Sequence, residues 1–173
     1  IDLCPEMLAK ARARVEKKKL TNVSAILEMD AGNLEFEDDS FNTVVAMYVM
    51  TVVPEPEQVL AELERVCAPG GEVVIVNHFS RDHGFMAKIE KVMAPFASSL
   101  GWRPDFPFER LMGRNNLHLV RRMSLRPFGL FTMLRFRKEI SADINPVLVP
   151  ESAAMVVQSR EEIIEVGGGE ALN

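Results

Sequence analysis

The sequence predicts an α/β fold built on a mostly parallel sheet that ends in an antiparallel hairpin. Two observations carry this prediction. Between residues 1 and 79, short apolar runs of strand length alternate with amphipathic helical segments, which is the order of a parallel sheet with helices on both faces. Further along, the apolar segments 117–125 and 131–138 flank an Arg-Pro-Phe-Gly turn, which is typical of a hairpin.

The first predicted element is a helix from Pro5 to Lys18. One side of it carries apolar residues at helical spacing, namely Met7, Leu8, Ala11 and Val15. Pro5 suits the first position of a helix because its nitrogen carries no hydrogen that would be left unsatisfied there. The residues before this helix, Ile1-Asp2-Leu3, are interpreted as the end of a buried strand with an acid at its tip.

The following elements alternate in the same way. In chain order they are a short strand over residues 22–30, a polar loop over 31–40, a strand over 41–50, a helix over 55–71 and a strand over 72–79. The segment 41–50 is apolar almost throughout, which is typical of a strand covered on both faces. A Pro-Gly-Gly sequence closes the helix. Beyond these elements, residues 82–100 predict a long helix.

Composition restricts the class of protein. A chain of 173 residues that is 47 % hydrophobic can bury one substantial core, and a net charge of −5 does not suggest a disordered or nucleic-acid-coating protein. Cys4 and Cys67 lie far apart without partners at metal-ligand spacing, so we expect no metal and a reducing, cytoplasmic compartment. The longest apolar run, residues 43–53, is about half as long as a bilayer crossing requires.

Charge divides the chain into two parts. Arginine is frequent from residue 102 to residue 138, and the chain is acidic after Glu139. We therefore predict a domain over residues 1–138 and a flexible acidic tail over residues 139–173, with a weak helix at most. The arginines suit either a peripheral contact with an anionic membrane at its inner face or the solvated faces of the hairpin.

Several segments together resemble the class I S-adenosylmethionine-dependent methyltransferases of the small-molecule and lipid branch. They are "IDLCPEML", "MDAGNLEFEDDSFN", "PGGEVVIVNHF" and "LRFRK". The resemblance covers about residues 1–138 and implies a Rossmann-like sheet with S-adenosylmethionine as cofactor. Within the family, "VNHF" followed by "LGWRPDFPFER" resembles the soluble bacterial phosphatidylethanolamine N-methyltransferases. This implies a phospholipid amine as acceptor, with a quinone or other small hydrophobic molecule as the alternative.

The resemblance also implies which residues hold the cofactor. Ligands of such sheets lie across the carboxyl ends of the strands, so acids at strand ends face the cofactor. Asp2 would accept hydrogen bonds from the ribose hydroxyls, and Asp30 would accept one from the adenine amino group while the Ala31 N–H donates to the ring. Further cofactor contacts are implied for Leu3, Met7 and Met47. The alternatives are a helix-capping acid for Asp2 and a turn residue for Asp30.

Acceptor-side candidates follow the fourth and fifth strands of the family pattern. Tyr48 falls where the methyl group would meet its acceptor, and His78 is a candidate proton acceptor or headgroup ligand. The residues expected to contact substrate are Asn77, Trp102 and Arg103. Ordinary packing is the alternative for both Tyr48 and His78. Nucleic acid is disfavoured as a substrate, because no Asn-Pro-Pro-Tyr type segment ends the fourth strand.

The glycine-rich loop of the family belongs after a first strand that would lie before Ile1. We therefore expect an N-terminally truncated domain, a sheet open between the strand ending at Asp2 and the strand starting at Phe41, and an activity that belongs to a longer protein. A non-catalytic remnant or scaffold is a second hypothesis. A dinucleotide oxidoreductase is a third, against which the terminal hairpin counts.

Overall fold

The computed structural model describes residues 1–78, 107–113, 116–125, 131–140 and 154–158. Its helices are α1 (Pro5–Lys18) and α2 (Pro56–Val66), and a 3₁₀ turn covers Phe108–Leu111. Its strands are β1 (Phe41–Met47), β2 (Cys67–Asn77), β3 (Leu117–Leu125), β4 (Phe131–Lys138) and β5 (Ala154–Gln158). The helix predicted over residues 82–100 lies outside the described residues.

The five strands form one sheet in the order β3-β4-β2-β1-β5. β1 pairs in parallel with β2 on one side and with β5 on the other. β4 pairs antiparallel with both β2 and β3, so the hairpin extends the sheet at one end. This mixed sheet confirms the predicted α/β fold, and the two hairpin strands have the predicted bounds.

The core lies between α2 and one face of the sheet. Val44 and Ala46 of β1, and Val73 and Ile75 of β2, are completely buried. The α2 side chains that join this cluster are Val59, Leu60, Leu63 and Val66. The side chains on the other face of β1 are half-buried. Burial therefore alternates along this strand, whereas the sequence predicted a strand covered on both faces. No helix in the described part of the chain is long and apolar enough to span a membrane.

The predicted first helix has the expected bounds. α1 begins at Pro5 and ends at Lys18, and Lys19 closes it in the left-handed conformation with a φ of 51°. Cys4 stands at the N-cap, and its thiol makes no capping hydrogen bond to a backbone N–H of the helix, as a thiol caps poorly.

Residues 22–30 do not form the predicted strand. They make an isolated parallel bridge in which Asp2 N donates to Leu27 O and Met29 N donates to Asp2 O, both at 3.2 Å. α1 begins at Pro5, directly after the paired segment around Asp2. The pairing therefore stops after one bridge and does not extend into a strand.

The junction between α2 and β2 also differs from the sequence prediction. The predicted helix runs to residue 71, but α2 ends at Val66 and β2 begins at once with Cys67, paired with Phe41. The register then jumps to Thr43 opposite Glu72, so the Pro-Gly-Gly sequence forms an irregularity inside the strand. Glycine is required here because a Cβ on residue 71 would lie 2.8 Å from each of two backbone oxygens.

The expected opening in the sheet is filled by the tail. β5 pairs with β1 from Thr43 opposite Ala154 to Met47 opposite Gln158. On its other side the Ile1 nitrogen donates to Val156 O at 2.8 Å. The prediction of an open sheet and of a tail with at most a weak helix is therefore wrong over residues 154–158. An alternating apolar segment gains more from pairing with an open strand than from remaining in solvent.

Candidate active site

Two groups of predicted site residues flank β5. On one side lie Met47 and Tyr48 at the end of β1, next to Asn77 and His78 at the end of β2. These two ends coincide because the strands are parallel. On the other side of β5 the Asp2–Glu28 bridge brings Asp2 close to the segment that leads into Asp30. The structure thus separates the acids from the aromatic and histidine residues by the width of one strand.

Asp2 anchors the start of α1. The residue is 9 % exposed, and its Oδ1 accepts a hydrogen bond from Cys4 N at 2.7 Å. This bond is an Asx turn before the N-cap residue Cys4 and does not cap a backbone N–H of α1, so it is not the helix-capping role that the sequence left as the alternative. The turn is compatible with ribose binding, because a carboxylate has about four acceptor positions and one backbone bond uses a single position.

Asp30 organises the loop that follows it. Its Oδ1 accepts a hydrogen bond from Gly32 N at 2.8 Å, which is an Asx turn. Gln58 of α2 braces the same loop, because its Nε2 donates to Gly32 O at 2.7 Å. Ala31 is buried within this turn, while Asp30 itself is exposed. Sequence reasoning missed Gln58, which occupies an exposed position of an amphipathic helix and carries no local signal.

Tyr48 adopts a backbone conformation that is rare for a bulky residue. Its φ of 61° lies in the left-handed region, and this conformation ends β1 three residues before the predicted end. Tyr48 N donates to Val76 O at 2.8 Å, and the ring meets Phe131 of β4 edge to face with centroids 5.0 Å apart. The turn after β1 is therefore held by both β2 and β4.

Asn77 is buried beneath that turn. It is 1 % exposed; its Oδ1 accepts a hydrogen bond from Met50 N at 3.2 Å, and its Nδ2 donates to Thr51 Oγ1 at 2.7 Å. The amide predicted to contact substrate thus holds the turn that carries Tyr48. Thr51, also 1 % exposed, was missed by sequence reasoning, although a threonine inside an apolar run is a signal for a buried hydrogen bond.

The remaining predicted site residues are less closely grouped. His78 follows β2 and is half-buried, as are Met7 and Met47. Leu3 is exposed, with 63 % of its surface accessible. Trp102 and Arg103 lie outside the described residues. Within the described ranges, no group of three or more His, Cys, Asp or Glu side chains could hold a metal ion.

Several arginines of the basic segment are engaged within the chain. Arg135 and Arg137 both donate to the Glu72 carboxylate, and the hydrogen bond from Arg135 is the main reason why the pKa of Glu72 is lowered. The Arg122 guanidinium lies 4.0 Å from the centroid of the Phe108 ring. Arg121 is exposed on β3. The charges of Arg135 and Arg137 are therefore compensated locally by Glu72.

Comparisons with known proteins decide the family. A family model for the methyltransferase domain matches residues 1–75. A phosphatidylethanolamine N-methyltransferase of Cereibacter sphaeroides is 51 % identical over 138 residues, which are 80 % of this chain and 68 % of that protein. The chain belongs to the S-adenosylmethionine-dependent methyltransferases. The first of the three hypotheses from the sequence is thereby confirmed at the level of family and cofactor.

This chain is also similar to a second methyltransferase and to a protein of known structure. A demethylmenaquinone methyltransferase of Shouchella clausii is 36 % identical over 74 residues, which are 43 % of this chain and 31 % of that protein. A crystal structure of a protein described as a methyltransferase from Bacillus halodurans superposes with a TM-score of 0.64 and covers 81 % of each chain. At 14 % identity, that structure shows a shared fold.

The side chains at this site suit S-adenosylmethionine. The nucleoside of the cofactor offers hydroxyl and amino hydrogens, and Asp2 and Asp30 are carboxylates with acceptor capacity beyond their backbone bonds. The half-buried Met7 and Met47 are suited to pack against its apolar surfaces.

Proposed function

We propose that this methyltransferase transfers methyl groups to the amine of phosphatidylethanolamine. The observation that carries the proposal is the 51 % identity over 138 residues to a protein named as a phosphatidylethanolamine N-methyltransferase. Methylation of a quinone is the second candidate, favoured by the similarity to a demethylmenaquinone methyltransferase over a shorter stretch of 74 residues.

On the cofactor side, the protein mainly has to bind and orient. S-adenosylmethionine supplies an electrophilic methyl group, so alignment and exclusion of water account for most of the catalysis. In the proposal, Asp2 accepts from the ribose hydroxyls and Asp30 accepts from the adenine amino group. Asp2 is well placed for this, because its bond to Cys4 N ties the carboxylate to the start of α1 and restricts its rotamers.

On the acceptor side, an ammonium group must lose a proton before its nitrogen can attack. His78 is the proposed proton acceptor, since an imidazole nitrogen can take up a proton and the residue follows directly on β2 at the end of the strand. Tyr48 supplies an aromatic face held in place by Phe131 and Val76. Asn77, buried beneath the turn after β1, holds that turn through its bonds to Met50 N and Thr51 Oγ1.

Contact with an anionic membrane surface, on the cytoplasmic side of the membrane, is part of the same proposal. Its support among the described residues is the outer strand β3, where Arg121 is exposed and the neighbouring Val120 is 57 % exposed. A basic residue beside an exposed apolar one suits the surface of an anionic bilayer. The proposed contribution is modest, about 1 kcal/mol for each basic residue near the surface.

The substrate is tested with radiolabelled S-adenosylmethionine and vesicles. The chain is incubated with vesicles that contain phosphatidylethanolamine and an anionic lipid, with matched vesicles that contain phosphatidylcholine instead, and with vesicles that carry demethylmenaquinone. Label in the methylated ethanolamine lipids supports the proposal. Label in the quinone favours the second candidate, and label in none of the lipids, from a chain that binds cofactor, contradicts both.

The cofactor site is tested by titration calorimetry with S-adenosylhomocysteine. Asp2→Asn keeps an acceptor for Cys4 N but loses the carboxylate charge, so we expect binding to weaken about tenfold while the circular dichroism spectrum stays unchanged. Glu28→Gln, on the partner side of the same bridge, is the matched control and should bind like the wild type. Equal affinity of Asp2→Asn and wild type would remove the ribose assignment. No binding by the folded wild-type chain would favour the remnant hypothesis.

A further inference from the structure

α2 carries a stripe of polar side chains that binds the loop over residues 31–40. Gln58, Glu62 and Arg65 stand at helical spacing and therefore lie on one side of the helix. Each of them bonds to backbone groups of the loop, at distances between 2.7 and 2.8 Å. Because these bonds reach the backbone, they fix the path of the chain along α2.

The bond from Gln58 lies closest to Asp30. Gly32 is held at both of its polar backbone groups, because its N–H donates to Asp30 Oδ1 at 2.8 Å and its carbonyl accepts from Gln58 Nε2 at 2.7 Å. A Cβ on Gly32 would lie 3.4 Å from Asp30 Oδ1 and 3.8 Å from Gln58 Nε2, so the two side chains lie against the same side of this residue. Gln58 is thus connected to the Asp30 carboxylate through a single residue.

This connection acts on an exposed carboxylate. Asp30 is exposed, and an exposed side chain that is not held takes several rotamers, of which binding a ligand selects one at a cost in entropy. The bond from Gly32 N selects one orientation in advance, as long as Gly32 itself stays in place. Ala31 is buried between these two residues, so the same turn orients its N–H. Holding Gly32 therefore orients both the carboxylate and the neighbouring N–H.

The stripe has a less exposed end and an exposed end. Glu62 and Arg65 pair with each other, and their side chains are 18 % and 30 % exposed. Gln58 is exposed, as is Asp30. Substitutions at exposed positions change global stability little, whereas they can change the local order of a loop. Loss of the Gln58 bond should therefore loosen the turn at Asp30 and leave the fold intact.

We propose that Gln58 is a positioning residue for the adenine of the cofactor. It acts through Gly32, which it holds so that the Asp30 carboxylate stays directed towards the adenine amino group and the Ala31 N–H towards the ring. This role rests on the assignment of Asp30 to the adenine in the proposed function, and adds to it that selectivity for the base depends on a side chain of α2. It places no demand on the methyl acceptor.

Two ligands that differ only in the base test this role. S-adenosylhomocysteine carries an amino group on its base, whereas its deaminated analogue, S-inosylhomocysteine, carries an oxygen there and cannot donate to Asp30. Titration calorimetry of the full wild-type chain should show at least about tenfold tighter binding of the adenine ligand. Gln58→Met keeps the length of the side chain but loses the donor, so this ratio should fall to about threefold or less. A general structural defect would weaken both ligands equally and leave the ratio unchanged.

Glu57→Met is the matched control. It makes the same kind of change one position earlier on α2, where the side chain accepts from Arg110 Nε at 2.8 Å. This variant should keep the wild-type ratio, and both variants should keep the wild-type circular dichroism spectrum. A control that loses selectivity as far as Gln58→Met does would show that any change at this end of α2 has the same effect, and would overturn the proposal.

Amide exchange gives an independent readout without ligand. The Gly32 N–H should exchange at least about threefold faster in Gln58→Met than in the wild type, while the Leu34 N–H, which Glu62 holds, should keep its rate. Equal rates at Gly32 in the two chains would show that Gln58 does not hold the turn, and the proposal would fail.

The outcomes of the titration separate the role of Gln58 from the assignment on which it rests. A wild-type preference for adenine that persists in Gln58→Met overturns the role of Gln58 and leaves that of Asp30 in place. A folded wild-type chain that binds both ligands equally, or neither, overturns the assignment of Asp30 to the adenine and the role of Gln58 with it. A Gln58→Met chain that does not fold would show that Gln58 supports the fold itself, which also contradicts the proposal.

Discussion

At the scale of single residues, Asn77 shows how a buried amide can hold the turn after β1 in place. Both of its side-chain polar atoms bond to the segment after β1, and both it and Thr51 are almost inaccessible. Removing the amide would leave Met50 N and the Thr51 hydroxyl buried without these partners, which costs more than the bond itself contributes.

We therefore expect Asn77→Ala to lower the free energy of unfolding by about 2 kcal/mol in urea denaturation. Asn22→Ala, on an exposed loop, is the control and should change stability by less than about 0.5 kcal/mol. If both variants were equally stable, the Asn77 bonds would be of no consequence for the turn.

The two cysteines should differ in reactivity. Cys67 is completely buried, and burial raises the pKa of its thiol to about 11. Cys4 is half-buried, and its Sγ lies 2.9 Å from Glu6 Oε2. Since the thiolate is the reactive form, a thiol reagent added to the folded chain at mildly alkaline pH should modify Cys4 first.

Titration of the native chain with a thiol reagent tests this expectation. One equivalent should react quickly and the second only on unfolding, and Cys4→Ser should abolish the fast phase. Two fast thiols in the native chain would show that Cys67 is accessible.

At the scale of elements, Arg65 ties the loop before β1 to α2. Its guanidinium donates to Leu34 O, Phe36 O and the Asp38 carboxylate, all between 2.7 and 2.8 Å. It also pairs with Glu62 one turn earlier, whose Oε2 accepts from Leu34 N at 2.7 Å. One side chain thus organises the loop that links Asp30 to β1.

Arg65→Lys keeps the charge but loses the planar fork that serves several acceptors at once, so we expect it to lower the free energy of unfolding by about 2 kcal/mol. Arg14→Lys, on the exposed side of α1, is the matched control. Chemical denaturation of both variants is the measurement, and an Arg65→Lys chain as stable as wild type would contradict the proposed geometric role.

A second element-scale tie joins β4 to the α2–β2 junction. Lys138 Nζ donates to Asp39 Oδ1, Glu64 O and Cys67 O at 2.6, 2.9 and 2.7 Å. These bonds use all three ammonium hydrogens and satisfy two carbonyls near the end of α2. Lys138 thus contacts the chain on both sides of the change from helix to strand at Cys67.

At the scale of the whole molecule, two carboxylates make stability depend on pH. Hydrogen bonds from Arg65 and Arg135 lower the pKa of Glu62 and Glu72 below the ordinary 4.5. A lowered pKa in the folded state means that the stabilisation is complete above the ordinary value and is lost as the pH falls through the lowered one.

We accordingly expect the free energy of unfolding to change little from neutral pH down to about 5 and to fall steadily below 4.5. Glu72→Gln should weaken this acid dependence, whereas Glu35→Gln, which is exposed, should not. Urea denaturation across this pH range is the measurement. A Glu72→Gln chain with the wild-type acid slope would mean that Glu72 contributes little to it.

Much of the fold could be predicted from local patterns. The bounds of α1 follow from Pro5 and the helical spacing of its apolar residues, and the bounds of β3 and β4 follow from two apolar segments around a turn. The position of His78 near the end of β2 also follows from a local apolar run. Such features depend on neighbours in the sequence, whose spacing can be read directly.

Other features depend on partners far apart in the chain. β5 is a strand because β1, which lies far earlier in the chain, offers it a pairing edge, and Cys67 is extended because it pairs with Phe41. Asn77 turns towards Thr51 because the turn after β1 folds over it. Composition and spacing identified these residues as apolar or polar, but their partners are defined only when strands meet. That is why the family could be recognised from sequence, while the continuity of the sheet and the role of Asn77 required the tertiary structure.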